Sequence, residues 1–307
     1  MFTLAELEAA AALVHAAFPP TPQYAWPLLE KRAGAEVWVK HENHTPTGAF
    51  KVRGGVVFME RLKRENPNVA GVVSATRGNH GQSLAYAGAR FGIPVTIVVP
   101  RGNSAEKNNA MRAQGARLIE YGQDFDEARE EAARLAQAEG LLFAPSFARD
   151  LVLGVATYAL EFLRAAPPLA ALYVPIGLGS GICGCILARD LLGLQTEIIG
   201  VQSTEAPAYA LSLAAGHVVT TATAQTHADG MATRIPDSGA LDIIRKGAAR
   251  IVTVTDDEVA GAIRAYWQDT HNLAEGAGAA PLAALLQERD AMRGKRAGIV
   301  LLSLIHI

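Results

Sequence analysis

The sequence predicts a doubly wound α/β protein, and two observations carry the prediction: short apolar, β-branched runs recur along the chain, and helical patterns alternate with them. The strands read as GVVSA (71–75), PVTIVVP (94–100), ARLIEY (116–121), ALYVPI (171–176), TEIIGVQ (196–202) and GIVLLS (298–303). Between them run helical patterns GQSLAYAGARFG (81–92), SAEKNNAMRAQG (104–115) and DFDEAREEAARLAQAEG (124–140). The last carries Asp and Glu in its first turn, as the helix dipole favours. The N-terminal segment (1–18) has an apolar helical period. It lacks a basic region and contains Glu6 and Glu8, so it reads as an ordinary first helix and not a secretory signal. No repeat or Gly/Ser linker divides the chain. The block from 71 to 145 could close a small sheet of its own, although composition alone does not fix that split.

The 307 residues are 50% hydrophobic and 19% charged, enough apolar material for a large core. A formal net charge of -2 supplies no basic field, so neither nucleic acid nor an anionic membrane is expected as a partner, and a small molecule is. The two cysteines, Cys183 and Cys185, stand too close to staple the fold, which points to a reducing, cytoplasmic compartment. Ala165 to Ala188 is free of charge and long enough to span a bilayer. Pro167, Pro168, Pro175 and four glycines would break a lipid-facing helix there, whereas a buried strand, a glycine loop and a helix would use them.

Three clusters carry candidate chemistry. In HENHTPTGAFKVRGG (41–55) a Pro-Thr-Gly turn leads to Phe50, Lys51 and Arg53 at a helix start. A lone lysine is usually a surface charge. Here Phe50, Val52 and the glycines at 48, 54 and 55 place the amine near backbone and apolar surface, where desolvation lowers its pKa and makes it nucleophilic. In SATRGNHGQS (74–83), after a strand and before a helix, Thr76, Arg77, Gly78, Asn79 and His80 either face a ligand or form a polar turn with Asn79 and His80 as caps. In PIGLGSGICG (175–184) the glycine loop offers backbone N–H groups to an anion. Gly179, Gly181 and Gly184 also satisfy a dinucleotide fingerprint, and the acidic residue that reading needs is ambiguous, since the next strand ends in Gln202 with Glu205 beyond it. C-x-C without a second pair reads as small-residue packing, and no metal-hydrolase or serine-hydrolase spacing occurs.

In this order the three clusters, with ADGMA (228–232), AEGAGA (274–279) and the strand ending in LLS (301–303), resemble the fold-type II pyridoxal-phosphate enzymes of the threonine/serine dehydratase and serine racemase branch. The resemblance runs from about Trp38 to Ser303. It implies the tryptophan synthase β-subunit-like fold with two doubly wound parallel-sheet domains: 1–70 and 146–307 as a large cofactor-binding domain, 71–145 as a small domain that closes on substrate. It implies pyridoxal 5'-phosphate as cofactor, an amino-acid substrate and a homodimer. Carried over by position, Lys51 resembles the Schiff-base lysine and the catalytic base, Phe50 the residue beside the ring, and Asn79 the partner of the 3-hydroxyl. Gly177, Leu178, Gly179, Ser180 and Gly181 resemble the phosphate loop, which Leu178 and Ser180 interrupt. Gly230 and Glu275 fall in the cofactor wall. Ser303 falls opposite the pyridine nitrogen as a neutral partner, which favours prompt β-elimination over transamination. Thr76 to His80 would hold the substrate carboxylate. The implied reaction is loss of a Cα proton to Lys51, departure of the β-hydroxyl with a proton from the phosphate, and release of a 2-oxo acid and ammonia from L-threonine, L-serine, or a bulkier or acidic β-hydroxy amino acid.

Four departures sharpen this. Where the racemase has a serine acid/base, the chain has Arg77, whose guanidinium does not exchange protons at neutral pH, so racemisation ranks below elimination. Gln202 and Ala208 stand where acidic ligands of a divalent cation are expected, so no metal is predicted. Gly154, Val155, Ala156 and Thr157 replace a Gly-Gln-Gly-Thr stretch and make the substrate surface more apolar. After Ser303 the family's Gly-Gly-Asn turn is replaced by Leu304, Ile305, His306 and Ile307, an ending expected to loosen the wall behind the ring. From other classes, a non-catalytic ligand-binding protein and a nicotinamide-dependent oxidoreductase stay open.

Overall fold

In the computed structural model the chain is described over residues 1–304. Ile305, His306 and Ile307, on which the expected loosening of the ring wall chiefly falls, lie outside the described residues. Ten strands run in chain order: β1 (Gln23–Ala25), β2 (Glu36–His41), β3 (Val72–Ala75), β4 (Val95–Val99), β5 (Arg117–Glu120), β6 (Leu142–Phe143), β7 (Ala171–Pro175), β8 (Glu197–Ser203), β9 (Ala248–Val254) and β10 (Arg296–Leu301). They form two sheets, one of six strands in the order β1-β2-β10-β7-β8-β9 and one of four in the order β5-β4-β3-β6. All pairings are parallel except β1 with β2. Helices cover the sheets, and β3, β4 and β7 are buried along their whole length, as near-continuous apolar runs require when both faces are covered.

Two element boundaries differ from the sequence reading. The last strand spans Arg296–Leu301, and Ser303 lies beyond it in an isolated antiparallel bridge to Ala49. Phe50 N–H donates to the Leu302 carbonyl (3.0 Å) and Leu304 N–H to the Gly48 carbonyl (3.1 Å), so the chain end is stitched to the turn before Lys51. The helix expected at 81–92 begins at Asn79, with Gly78 at its N-cap and no side-chain cap bond. Asn79 and His80 are therefore first-turn residues and not caps. The uncharged stretch Ala165 to Ala188 is the last residue of one helix, then β7, the glycine loop and most of the helix Ser180–Leu191. Among the described residues no helix is long and apolar enough to cross a membrane.

Helix Val52–Glu65 is wedged between the helices Asn79–Phe91 and Arg149–Ala165. Glycines make both crossings possible. A Cβ on Gly54 would lie 2.8 Å from the Leu151 carbonyl oxygen, one on Gly154 would strike the Arg53 carbonyl, and one on Gly55 would strike Ser83. Gly54 and Gly55 thus serve helix packing.

Below this wedge lies a buried ion network. The Arg53 guanidinium donates to Glu42 (2.7 and 3.0 Å), Glu161 (2.6 and 2.9 Å), Thr157 (3.0 Å) and Thr21 (3.3 Å), and Lys40 Nζ reaches Glu161 at 2.6 Å. Arg53, Glu42 and Lys40 are fully buried. Burial raises the Glu161 pKa, but Arg53 and Lys40 more than offset this and hold it at about 2. Glu161 accordingly contributes stability that is present above its ordinary 4.5 and is lost as the pH falls toward about 2. Replacing Arg53 by Met leaves buried Glu42 without its cation and Glu161 without its Arg53 bonds, and the expected cost is about 3–5 kcal/mol by urea denaturation at pH 7.

Candidate active site

Lys51 stands at the N-cap of helix Val52–Glu65, directly after the turn closed by the Gly48 N–H to Thr45 carbonyl bond (2.9 Å) and the Ala49 N–H to Thr45 Oγ1 bond (2.8 Å). Gly48 has φ 64°, a conformation a side chain would resist. The Lys51 carbonyl accepts from Ser83 Oγ at 2.6 Å, which ties the turn to helix Asn79–Phe91. Its Nζ lies 5.0 Å from the Phe50 ring centroid. Burial lowers its pKa to about 8, against the opposing pull of Glu275. An amine so desolvated has a far larger neutral fraction near physiological pH than an ordinary lysine, and its neutral form is able to act as nucleophile or base.

The glycine loop follows β7 and opens the helix Ser180–Leu191. Cys183 N–H is bonded to the Gly179 carbonyl (3.0 Å), so the N–H groups of Ser180, Gly181 and Ile182 precede the first helical bond and are free for an anion. Gly179 has φ 105°, and a Cβ on Gly177 would strike the Gly230 carbonyl. Leu178 takes part in the loop through its backbone: its carbonyl accepts from Tyr209 OH at 2.8 Å. The loop reaches the lysine side through Gly181, whose added Cβ would sit 3.8 Å from Phe50 Cε2.

Opposite, Asn79, Glu275 and Ser303 converge. Glu275 Oε1 accepts from Asn79 Nδ2 (3.3 Å) and from Ser303 Oγ, while Asn79 Nδ2 is 3.5 Å from Ser303 Oγ. Burial raises the Glu275 pKa to about 7, although the bonds from Ser303 and Asn79 and the charge of Lys107 pull the other way. A wall expected to be neutral through Ser303 thus has an ionisable carboxyl one hydrogen bond behind it. Gly230 borders the same carboxyl, since its added Cβ would lie 3.7 Å from Glu275 Oε1. Asn79 Oδ1 and His80 Nε2 are buried without a hydrogen-bond partner among the described residues. Burial and the charge of Lys51 bring the His80 pKa down to about 3, so its imidazole is neutral. Thr76 Oγ1 accepts from Gly78 N–H (3.3 Å) and shapes the loop.

The structure therefore gathers Phe50, Lys51, Thr76, Gly78, Asn79, His80, Gly177, Leu178, Gly179, Ser180, Gly181, Gly230, Glu275 and Ser303 around one cleft between the C-terminal ends of strands from both sheets, where α/β proteins hold ligands. Arg77 stands apart at the mouth, about half exposed, with Nη1 4.0 Å from Asp229 Oδ1. Two residues there escaped the sequence reading: Asp229 and Lys107, joined at 2.6 Å. They are 122 positions apart, and no local pattern links them. Gln202, considered for metal, is buried with Oε1 accepting from Ala210 N–H (2.8 Å).

Pyridoxal phosphate fits this cleft. A desolvated lysine amine, a helix start with free N–H groups whose loop excludes a Cβ at Gly177 and Gly179, and an unpartnered Asn79 Oδ1 match an aldehyde, a phosphate dianion and a phenolic hydroxyl respectively. The raised pKa of Glu275 also has a thermodynamic consequence. Its contribution to stability is fully present below the ordinary 4.5 and is lost as the pH rises through about 7. Glu275→Gln should remove that loss. The stability of cofactor-free variant relative to parent, measured by urea denaturation, should rise between pH 5 and 7.5 by a few kcal/mol at most, on the order of 1–3.

Comparison with known proteins agrees with the cofactor. The family model for pyridoxal-phosphate dependent enzymes matches residues 14–303. The chain is 38% identical to the L-threonine ammonia-lyase of Geobacter sulfurreducens over 85% of its own length, and spans 65% of that relative. It is 33% identical to the L-threo-3-hydroxyaspartate ammonia-lyase of a Pseudomonas species, covering 91% of this chain and 88% of the relative. Among solved structures, maize serine racemase superposes with a TM-score of 0.94 at 25% identity, over 99% of this chain and 94% of that one. These matches leave no place for the dinucleotide reading of the glycine loop. The chain belongs to the pyridoxal-phosphate dependent enzymes.

Proposed function

We propose that the protein is a lyase that dehydrates and deaminates a small β-hydroxy amino acid of the L-threonine or L-serine type to a 2-oxo acid and ammonia. The observation that carries the reading is the desolvated amine of Lys51, which unlike buried Lys40 and Lys107 has no ion-pair partner among the described residues and a pKa lowered to about 8, facing a cleft whose other candidate proton carrier is replaced by Arg77. Two curated relatives named as ammonia-lyases support elimination. Racemisation needs a second acid/base, and a guanidinium does not fill that role.

Each of the chain's own groups has a task. Lys51 Nζ anchors the cofactor and accepts the Cα proton. The N–H groups at the start of helix Asn79–Phe91 receive the substrate carboxylate, because Gln82 N–H is the first one bonded, to Gly78 (3.2 Å). Neutral His80 adds no competing charge there. Free N–H groups of Ser180, Gly181 and Ile182 hold the phosphate, and Phe50 walls the lysine side. Pyridoxal phosphate, when bound, supplies the electron sink for the charge left at Cα.

The same reading assigns residues 1–70 and 146–307 to a large domain and 71–145 to a small one that closes on substrate and excludes water, a division supported by the two separate sheets. It also assigns a cytoplasmic homodimer, which sedimentation of the holoenzyme checks.

The test is 2-oxo acid release from L-threonine, L-serine, phenylserine and hydroxyaspartate. Turnover is expected with at least one of them, and Lys51→Ala should lower it by about a thousandfold or more. Colourless protein that takes up no pyridoxal phosphate, or a Lys51→Ala variant with unchanged turnover, would overturn the proposal.

A further inference from the structure

The mouth of the cleft holds charged side chains that elimination of threonine or serine does not use. A cavity of about 240 Å³ opens there, lined by Arg77, Arg101, Lys107 and Asp229 together with polar side chains and Pro100. Three cations thus face one carboxylate. Lys107 is buried at 7% exposure and is committed to Asp229 at 2.6 Å. Arg77 approaches Asp229 only to 4.0 Å, while its backbone carbonyl is fixed by Asn103 Nδ2 at 3.2 Å. Its loop is therefore anchored and its guanidinium is left largely uncommitted.

The cluster is continuous with the reaction site. Arg77 lies between Thr76 and Gly78, in the loop that leads to the helix start assigned to the substrate carboxylate. Asp229 precedes Gly230, which borders Glu275. A substrate held by its α-carboxylate at that helix start can direct its Cβ substituent toward this mouth. A methyl group there would find a single apolar lining residue, Pro100, and gain little from burial. A carboxylate would find a planar fork donor and surplus positive charge.

We infer that Arg77, with Lys107 and Arg101 behind it, forms a subsite for a second carboxylate on Cβ, so that β-hydroxy dicarboxylic amino acids are preferred over threonine. This rests on the proposed elimination and narrows it to a substrate class. Asp229 sets the subsite's net charge: it neutralises Lys107 and leaves Arg77 for the substrate.

The experiment compares kcat/KM of the holoenzyme for β-hydroxyaspartate and for L-threonine in the parent, Arg77→Ala and Arg77→Lys. The parent is expected to favour the dicarboxylic substrate. Arg77→Ala should lower the ratio of the two kcat/KM values by about 10- to 100-fold, and Arg77→Lys, which keeps the charge but not the fork, by less. A ratio that Arg77→Ala changes by less than about twofold, or a parent that turns over threonine and not the dicarboxylic substrate, would overturn the inference. If the parent turns over neither, the elimination reading has failed, and the subsite is read by binding of L-aspartate against L-alanine through the cofactor absorbance. Tighter L-aspartate binding that Arg77→Ala removes then supports the subsite, and equal affinities overturn it.

Discussion

Helix Val52–Glu65 lies against two other helices only because Gly54, Gly55 and Gly154 carry no Cβ at the crossings. This close approach sets the rest of the site. It fixes the residue just before the helix, Lys51, relative to Ser83 on one neighbour, and it brings the Arg53 backbone against Gly154 on the other. Any Cβ at these points would push backbone against backbone, which a packed interior does not absorb cheaply. The bridge between Ala49 and Ser303 then joins the C-terminal segment to the same turn. One rigid corner therefore carries the amine, the aromatic ring beside it and the hydroxyl across from it.

Two buried cations sit two residues apart on this corner with opposite treatments. Arg53 is matched by two carboxylates and by hydroxyls, so its charge is permanent and its role is to hold the segment after β2 and two helices together. Among the described residues Lys51 has no ion-pair partner in contact, and the charge of Glu275 only partly opposes burial, which pushes it toward the neutral form. Stability and reactivity thus come from the same low-dielectric interior, and the difference is whether a counter-charge is supplied.

Much of this was legible in the sequence. β3, β4 and β7 announce themselves because both faces are covered and nearly every position is apolar. By contrast β2 and β9 carry charged or half-exposed residues such as Glu36, Lys40 and Arg250 in their patterns, and periodicity alone does not mark them. The Lys51 turn, the loop before helix Asn79–Phe91 and the glycine loop were readable because each is a local motif between a strand and a helix. The Lys107–Asp229 pair and the Glu275–Ser303 bond were not, since both join residues distant in sequence. The packing role of Gly54 and Gly55 is not legible for the same reason: what they touch lies on another helix.

The measurement that bears most directly on the account is the site of covalent attachment of the cofactor. Holoenzyme reduced with borohydride and digested should yield one pyridoxyl-labelled peptide, modified at Lys51, the buried amine whose pKa is lowered to about 8. A label on any other lysine, or label shared among several exposed lysines with Lys51 free, would contradict it.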